Sequence, residues 1–550
     1  MKIIGFDFGT TNSTISYYDP ESKTLQNFRL SASSNEYIPT AISYSVEKDN
    51  DISIGLMAKN KLTAKKFETY ENFKLRLGRN YDQTIEGKTK TPIKVTRDYI
   101  EKLLAIYKKE QKVDKLDGIV MTVPETWFTE ASNQTARENI EQIYKDLGYS
   151  DLEFLLESEP VAAAAYFCWA FKNDDETNKK RNEYNGFITV VDYGGGTLDV
   201  TLCEVTKGGN KSKGGNIKIL ERCGFGEYND TNGCAGVAFD EAVIEKVIKD
   251  NNLAISKGSS QFLKLRDEFE KAKILERDLI TKKLSSYIRS PLSLVGDENI
   301  LFSLEYTYDG DELDISCEDM VSCFNNINAP ALNDSLNQVK QFFNAHNIDS
   351  SSQDNFKVLL VGGFSNFCVV ESVVRNFFAS KINRADERFK LPFKELNRAL
   401  AISRGAALIA KKEITIDHTC THSIGYLLGA YDAQERLIYR DIPVIKKATN
   451  LSEVQEAQYS PTPVQVNIKT GSLKIFMDDG RPNNAGRIQV ALDESVKELF
   501  PNTNKPDNEY HIGFSVNKNL IPTIHIKDKS GAVESKSLNK LLERMAIMQK

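Results

Sequence analysis

Apolar and polar residues alternate with two different periods along this chain, and the change of period divides it. Residues 3–16, IIGFDFGTTNSTIS, predict a strand, a turn of small residues and a second strand, and residues 188–201, ITVVDYGGGTLDVT, repeat that plan. An internal echo of this kind predicts two related lobes. A third strand is predicted at Val358–Val361, where Gly362-Gly363 turns the chain into an amphipathic helix carrying Val369, Val370, Val373, Val374, Phe377 and Phe378. Residues 237–280 have mostly helical spacing, with alternating charge along LKLRDEFEKAKILERDL. Beyond Ala410, short alternating segments (VQVNIKT, RIQVAL, HIGFSV, TIHIKD) separated by Pro, Asn, Gly and Asp predict an all-β second fold over residues 414–530. The junction KKEITIDHT is short and moderately apolar, so it is expected to be a linker able to dock as a strand. At the end, Leu538, Leu541, Leu542, Met545 and Met548 stand at helical spacing and predict one short amphipathic helix.

Each echo ends a strand on an aspartate, Asp7 or Asp192, directly before a turn of small residues, Gly9-Thr10-Thr11 or Gly194-Gly195-Gly196-Thr197. Glycine lets the backbone turn tightly and bring its N–H groups near an anion, and the carboxylate reaches a metal ion or its waters. Two such hairpins facing each other would clamp a metal-bound polyphosphate; either one alone reads equally well as an ordinary turn.

Composition narrows the picture. The chain has 550 residues, 40% hydrophobic and 27% charged, which allows several folding units and offers no apolar run able to span a bilayer. A net charge of −6 gives no broad reason to hold nucleic acid. The apolar amino-terminal stretch is broken at Asp7 and lacks a signal-peptide shape, and the 8 cysteines include no CxxC pair, so a reduced, cytoplasmic protein is expected. His418, Cys420 and His422 alternate as strand ligands would, but no fourth ligand is near, and chance placement is the expected reading. GKT at 87–89 fails as a P-loop because Asp82 stands where the earlier glycine is needed.

With these residues assembled, the chain resembles the heat-shock 70 kDa (DnaK-type) chaperone family over essentially its whole length. The matching motifs run in the family order: FDFGTTNS at 6–13, FKLRLGR at 73–79, TVP at 122–124, SEPVAAAAY at 158–166, DYGGGTLD at 192–199, EKAK at 270–273 and LVGGFS at 360–365. The resemblance implies an α/β, two-lobed actin-like (duplicated ribonuclease H-like) ATPase domain followed by an all-β sandwich that binds substrate. Its boundaries would be 1–185 for lobe I, 186–412 for lobe II with a return to lobe I, 413–417 for the linker, 418–535 for the sandwich and 536–550 for the short helix. That last helix is too short for the family's lid, so a lidless member is expected.

By position, the resemblance implies that Asp7 and Asp192 hold Mg²⁺ through its waters, and that Lys74, Glu159, Asp192 and Thr197 serve ATP hydrolysis. Gly9, Thr10, Thr11, Asn12, Gly194, Gly195, Gly196 and Thr197 would contact phosphate, and Glu270, Lys273, Gly362, Gly363, Ser365 and Asn366 the nucleoside. Leu428, Val464 and Val466 would wall a groove for extended polypeptide. A J-domain co-chaperone and a nucleotide exchange factor are the implied partners.

Departures temper this. Asn366 stands for the Arg that stacks on adenine, Arg277 for a base-contacting Ser, Ala235-Gly236 for a GG pair and Ala399 for an Asp. Pro124 matches the family's signalling proline, yet no partner Arg occupies the usual offset. A nucleotide-holding regulator with little turnover is the alternative expectation. A sugar-kinase-like enzyme fits the phosphate hairpins but not the trailing β-fold.

Overall fold

The amino-terminal alternation folds as strand β1 (Ile3–Phe8) running antiparallel to β2 (Asn12–Asp19), with Asp7 opposite Thr14. In this computed structural model, residues 2–549 are described except 20–21, 23, 32–35, 48–50, 79–80, 86, 130–133, 150–152, 174–182, 209–214, 227–232, 295, 307–310, 353, 379–385, 393–394, 432, 466–473, 479–486, 492–508 and 539–544. The chain divides into two compact units: residues 1–76, 83–126 and 157–415 form the first, and 77–82, 127–156 and 416–550 the second.

After β3 (Thr24–Asn27) and β4 (Ile38–Pro39), three strands, β5 (Ala41–Ser45), β6 (Ile52–Ile54) and β7 (Phe67–Glu71), make a small antiparallel sheet of their own in the order β6-β5-β7. With β8 (Gly118–Val123) and β9 (Glu153–Ser158) the first sheet reads β3-β2-β1-β8-β9, β8 lying parallel to β1. The echo repeats this plan. β10 (Gly186–Tyr193) and β11 (Leu198–Thr206) form the second hairpin, β12 (Asn216–Phe225) extends it, and after the β13–β14 ribbon (Ile300–Glu305 and Glu312–Ser316) β15 (Phe356–Val361) returns parallel to β10. Hairpin, third antiparallel strand and parallel return are therefore shared by both sheets. The parallel strands β8 and β15 are buried at every residue, as strands covered on both faces must be.

Helices cover these sheets. Ala401–Ala410 places Ser403 Oγ 2.8 Å from Ser16 Oγ on β2, and Arg404 donates to the Tyr166 hydroxyl of helix Glu159–Asn173 at 2.6 Å. In the second half, Val191, Val200, Phe239, Phe269, Phe356 and Val370 are buried in one core. Each such side chain contributes about 1.5–3 kcal/mol by leaving water. The expected docking strand is present: β16 (Thr415–Asp417) takes the free edge of β12, where Thr415 N–H donates to Gly215 O at 3.2 Å.

The second unit contains two further sheets. β17 (Ser423–Tyr431), β18 (Leu437–Ile445), β19 (Gln458–Tyr459), β20 (Val464–Gln465), β21 (Lys474–Asp478), β22 (Arg487–Ala491), β23 (Glu509–Val516), β24 (Pro522–Lys527), β25 (Val533–Ser537) and β26 (Met545–Gln549) pair as β18-β17-β21-β22-β26 and as β19-β23-β24-β25 with β20 on β23. Segment 127–156 belongs to this unit through polar ties. Arg137, fully buried on helix Gln134–Asp146, donates to the Asn519 carbonyl at 2.6 Å, and the Asn519 side chain accepts from Leu156 N–H at 2.9 Å.

Strand β26 corrects the expected carboxy-terminal helix. Met545–Gln549 pairs antiparallel with β22, Met548 opposite Ile488, because an apolar stretch this short fits either period and a waiting strand edge decides between them. Leu541 and Leu542 lie outside the described residues. The His418–Cys420–His422 stretch is not a continuous strand; His422 Nε2 bonds the Thr129 carbonyl at 3.0 Å, and among the described residues no His, Cys, Asp and Glu group has metal-binding spacing. Among the described residues, too, no helix is long and apolar enough to cross a membrane.

Candidate functional site

The first unit brings both acidic turns to one place. A Cβ on Gly195 would meet Thr11 Cγ2 at 2.5 Å, and one on Gly196 would strike the Thr10 hydroxyl, so the second turn packs directly on the first only because these positions are glycine. The helix Gly236–Asp250 begins against the second turn: Gly236 N–H donates to Gly194 O at 3.1 Å and Val237 N–H to Gly195 O at 2.8 Å. Behind the turns, the one-turn helix Phe73–Arg76 carries Lys74, which is 2% exposed and donates to Glu159 Oε1 at 2.6 Å. Glu159 opens its helix, where a carboxylate is favoured by the N-terminal dipole.

Carboxyl groups crowd this lysine. Burial raises Asp7 to about 7, Glu159 adds to the rise, and Lys74 and the hydroxyl of Thr122 oppose it. Asp192 is raised by burial and then by Glu159, Asp199 and Asp7. Asp199 is raised by burial and Glu159, against a 2.7 Å hydrogen bond from Thr197 Oγ1. Asp192 Oδ2 is buried with no hydrogen-bond partner. An oxygen left in that state is costly unless a cation reaches it, so the residues fit a divalent ion. Among the described residues no three acidic, His or Cys side chains are spaced to hold one directly, so phosphate oxygens and water would complete its shell.

In front of the turns lies a cleft of about 270 Å³ lined by Thr10, Thr11, Asn12, Gly195, Glu270, Lys273, Gly363 and Asn366 from the expected set. Gly9, Gly194, Gly196, Thr197, Gly362 and Ser365 are not among the residues that line it. Ser365 is fully buried and donates to Gly362 O at 2.7 Å, holding the turn rather than facing the cleft. Gly362 has φ +83°, and a Cβ there would collide with Asp192 Oδ1. Gly362→Ala is therefore expected to cost at least ~2 kcal/mol of stability and to abolish nucleotide binding; thermal unfolding and nucleotide titration check this, and a variant binding normally would contradict the geometry.

Ion pairs span the cleft. Lys59, from the small sheet's side, meets Glu270 Oε2 at 2.6 Å and Asp267 Oδ1 at 3.5 Å, and Arg266 meets Glu71 Oε2 at 2.5 Å. Lys273 pairs with Asp240 and lies 5.8 Å from the Phe364 ring centroid. At the far end the lining changes to Ile274, Arg277, Ile280, Thr281, Phe367 and Cys368. Asn366 Oδ1 there accepts from Arg398 at 3.3 Å.

Sequence reasoning passed over Asp199 although DYGGGTLD contains it, two residues after Thr197, whose hydroxyl it holds. It also missed Asp240, Lys59, Glu71 and Arg266, whose partners are remote in sequence, and the pair of a fully buried Glu125 with a largely buried Arg222 at 2.9 Å. For the groove, Leu428 is 42% exposed on β17, Val464 is buried on β20 in the other sheet, and Val466 lies outside the described residues. Leu437 and Tyr439 on β18 are exposed too, but they share the Gly429 face of the β17–β18 pairing, opposite to that of Leu428.

Two glycine turns in contact, a buried Lys–Glu pair behind them and a double-glycine turn closing on Asp192 are carried by segments spread from residue 7 to residue 363. A family model described as Hsp70 protein matches residues 3–536, nearly the whole chain, and the protein belongs to the Hsp70 family.

Proposed function

We propose that the protein is an ATP-dependent molecular chaperone: it binds and hydrolyses ATP in the cleft of its first unit, which has the two-lobed actin-like plan, and couples the cleft's state to binding of unfolded polypeptide by its β-sandwich unit. The observation that carries this reading is Asp192 Oδ2, buried and unpartnered among raised carboxyls beside the paired glycine turns. Asp7 and Asp192 would hold Mg²⁺, which when bound offsets the charge of the polyphosphate.

The chain's own groups divide the work. Backbone N–H groups of the turns at Gly9–Asn12 and Gly194–Thr197 bind phosphate oxygens, and Thr10 and Thr11 add hydroxyl donors. The ammonium of Lys74 stabilises charge that grows on the transferring phosphoryl group, while Glu159, held by it, orients the attacking water. Thr197, fixed by Asp199, places its hydroxyl beside that water. Glu270, Lys273, Gly362, Gly363 and Asn366 frame the nucleoside, with Ser365 bracing the turn. In the second unit, the exposed apolar positions Leu437 and Tyr439, side by side over Gly429 on one face of the β17–β18 pair, offer a surface for an extended apolar segment, and a J-domain protein and an exchange factor are the partners such a cycle uses.

A second reading, a regulator that holds nucleotide with little turnover, draws on Asn366 and Arg277 at the base end of the cleft. Single-turnover ATP hydrolysis by the wild type and by Thr197→Ala, with and without Mg²⁺, separates the two. Turnover that needs Mg²⁺ and falls at least ~tenfold in the variant is expected. Nucleotide binding with equal, negligible hydrolysis in both proteins would instead establish the regulator.

A further inference from the structure

Position 125 follows Pro124 at the end of β8 and carries a glutamate whose side chain is fully buried. A carboxylate in that position is costly unless its oxygens are filled, and here they are. Glu125 Oε1 accepts from Ser158 Oγ at 2.5 Å and from the Thr201 hydroxyl, and Oε2 accepts from Arg222 Nη1 at 2.9 Å. The backbone N–H of Glu125 donates to Asp199 Oδ1 at 3.1 Å, and the other oxygen of Asp199 is the one that holds Thr197. Thr201 and Arg222 stand opposite each other in the β11–β12 register, so one carboxylate grips two adjacent strands of the second sheet. Ser158 immediately precedes Glu159. Gly224 shows how tightly the pieces close: a Cβ there would lie 2.8 Å from both Asp199 Oδ1 and Thr126 N. The arginine that serves the turn after Pro124 thus comes from β12, the strand whose edge receives β16.

We propose that Glu125 is a positioning residue for the hydrolytic step, which with Arg222 holds Thr197, Asp199 and Glu159 in one register across the two sheets. The inference rests on the hydrolytic reading above. Glu125 touches none of the cleft, so its loss acts through the groups it holds. Displacement of such groups by about 1 Å costs on the order of 10²-fold in rate, whereas nucleotide affinity, set by the cleft lining, stays.

Glu125→Gln retains an acceptor for Ser158 and Thr201 but turns an amide NH₂ toward Arg222; Arg222→Met leaves the carboxylate buried without its cation. Glu125→Gln/Arg222→Met removes both charges, and neutral replacement of a buried pair is often tolerated. In the full-length protein, each single variant is expected to slow single-turnover hydrolysis about 10–100-fold with the ADP dissociation constant within about threefold of wild type, and the double variant to recover to within about fivefold. Hydrogen exchange of residues 197–206, in nucleotide-free protein, is expected to speed up in the singles and return in the double. Singles that hydrolyse and exchange like wild type would overturn the proposal, as would singles in which rate and ADP affinity fall together, the mark of general unfolding. If the wild type itself does not hydrolyse ATP, the chaperone-ATPase reading falls, and the exchange pattern alone decides whether Glu125 positions the turn.

Discussion

Lys74→Ala is expected to slow single-turnover ATP hydrolysis by about 10²–10³-fold, the loss typical of removing one preorganised donor from a developing charge. The size follows from where the ammonium sits. It is 2% exposed, 2.6 Å from Glu159, and it is the cation that opposes the upward push on Asp7, Asp192 and Asp199 alike. Alanine leaves those carboxyls facing one another across a buried space, and Glu159 loses the partner that fixes its rotamer. The site then fails twice, in charge and in the placement of water. Binding is another matter, because Lys74 lies behind the turns and not among the residues lining the cleft. Acid-quench hydrolysis and ADP titration together check this. A variant that hydrolyses within threefold of wild type would remove Lys74 from the chemistry; a parallel loss of ADP affinity would make it a structural residue.

How much of this was legible beforehand depends on the range of each interaction. The two hairpins were readable because both periodicity and the Asp-then-glycine order are local, and the repeated sheet order follows once a second hairpin echoes the first. Lys74 and Glu159 were named as separate positions, but nothing in a separation of 85 positions says that they pair. Glu125 and Arg222 are harder still. A lone glutamate after a proline and a lone arginine in an alternating strand both look like surface charge, and only the register of β11 on β12 turns Arg222 inward. Ser365 misled for the opposite reason. Its neighbours line the cleft, but the turn at Gly362 points its hydroxyl back at a carbonyl. The grouping of 127–156 with the carboxy-terminal sheets hangs on Arg137 and Asn519, a contact over 382 positions. At the terminus, Met545 and Met548 stand in a strand and not a helix because so short an apolar stretch cannot choose between the two when an unfilled sheet edge is at hand.

Opening the cleft should be as sensitive to charge as hydrolysis is. Removing both acids that span it, in Glu71→Ala/Glu270→Ala, is expected to speed ADP release by about 30–150-fold, as two partly buried pairs worth roughly 1–1.5 kcal/mol each would dictate. The side chains are 12–26% exposed, between the screened surface pair and the fully desolvated one, so neither extreme of those magnitudes applies. Glu71 at the end of β7 and Lys59 at the end of the short helix Leu56–Lys59 both reach the helix Ser260–Leu275, and both pairs line the cleft itself, so each must break or stretch before a nucleotide can leave. Salt provides an independent check, since pairs that remain partly exposed weaken as ionic strength rises. Stopped-flow release of a fluorescent ADP analogue should therefore quicken with salt in the wild type and lose most of that dependence in the double variant. A release rate indifferent to both the substitutions and the salt would mean that the cleft opens without parting these pairs, and the control of exchange would have to lie at the Asn366–Arg398 end instead.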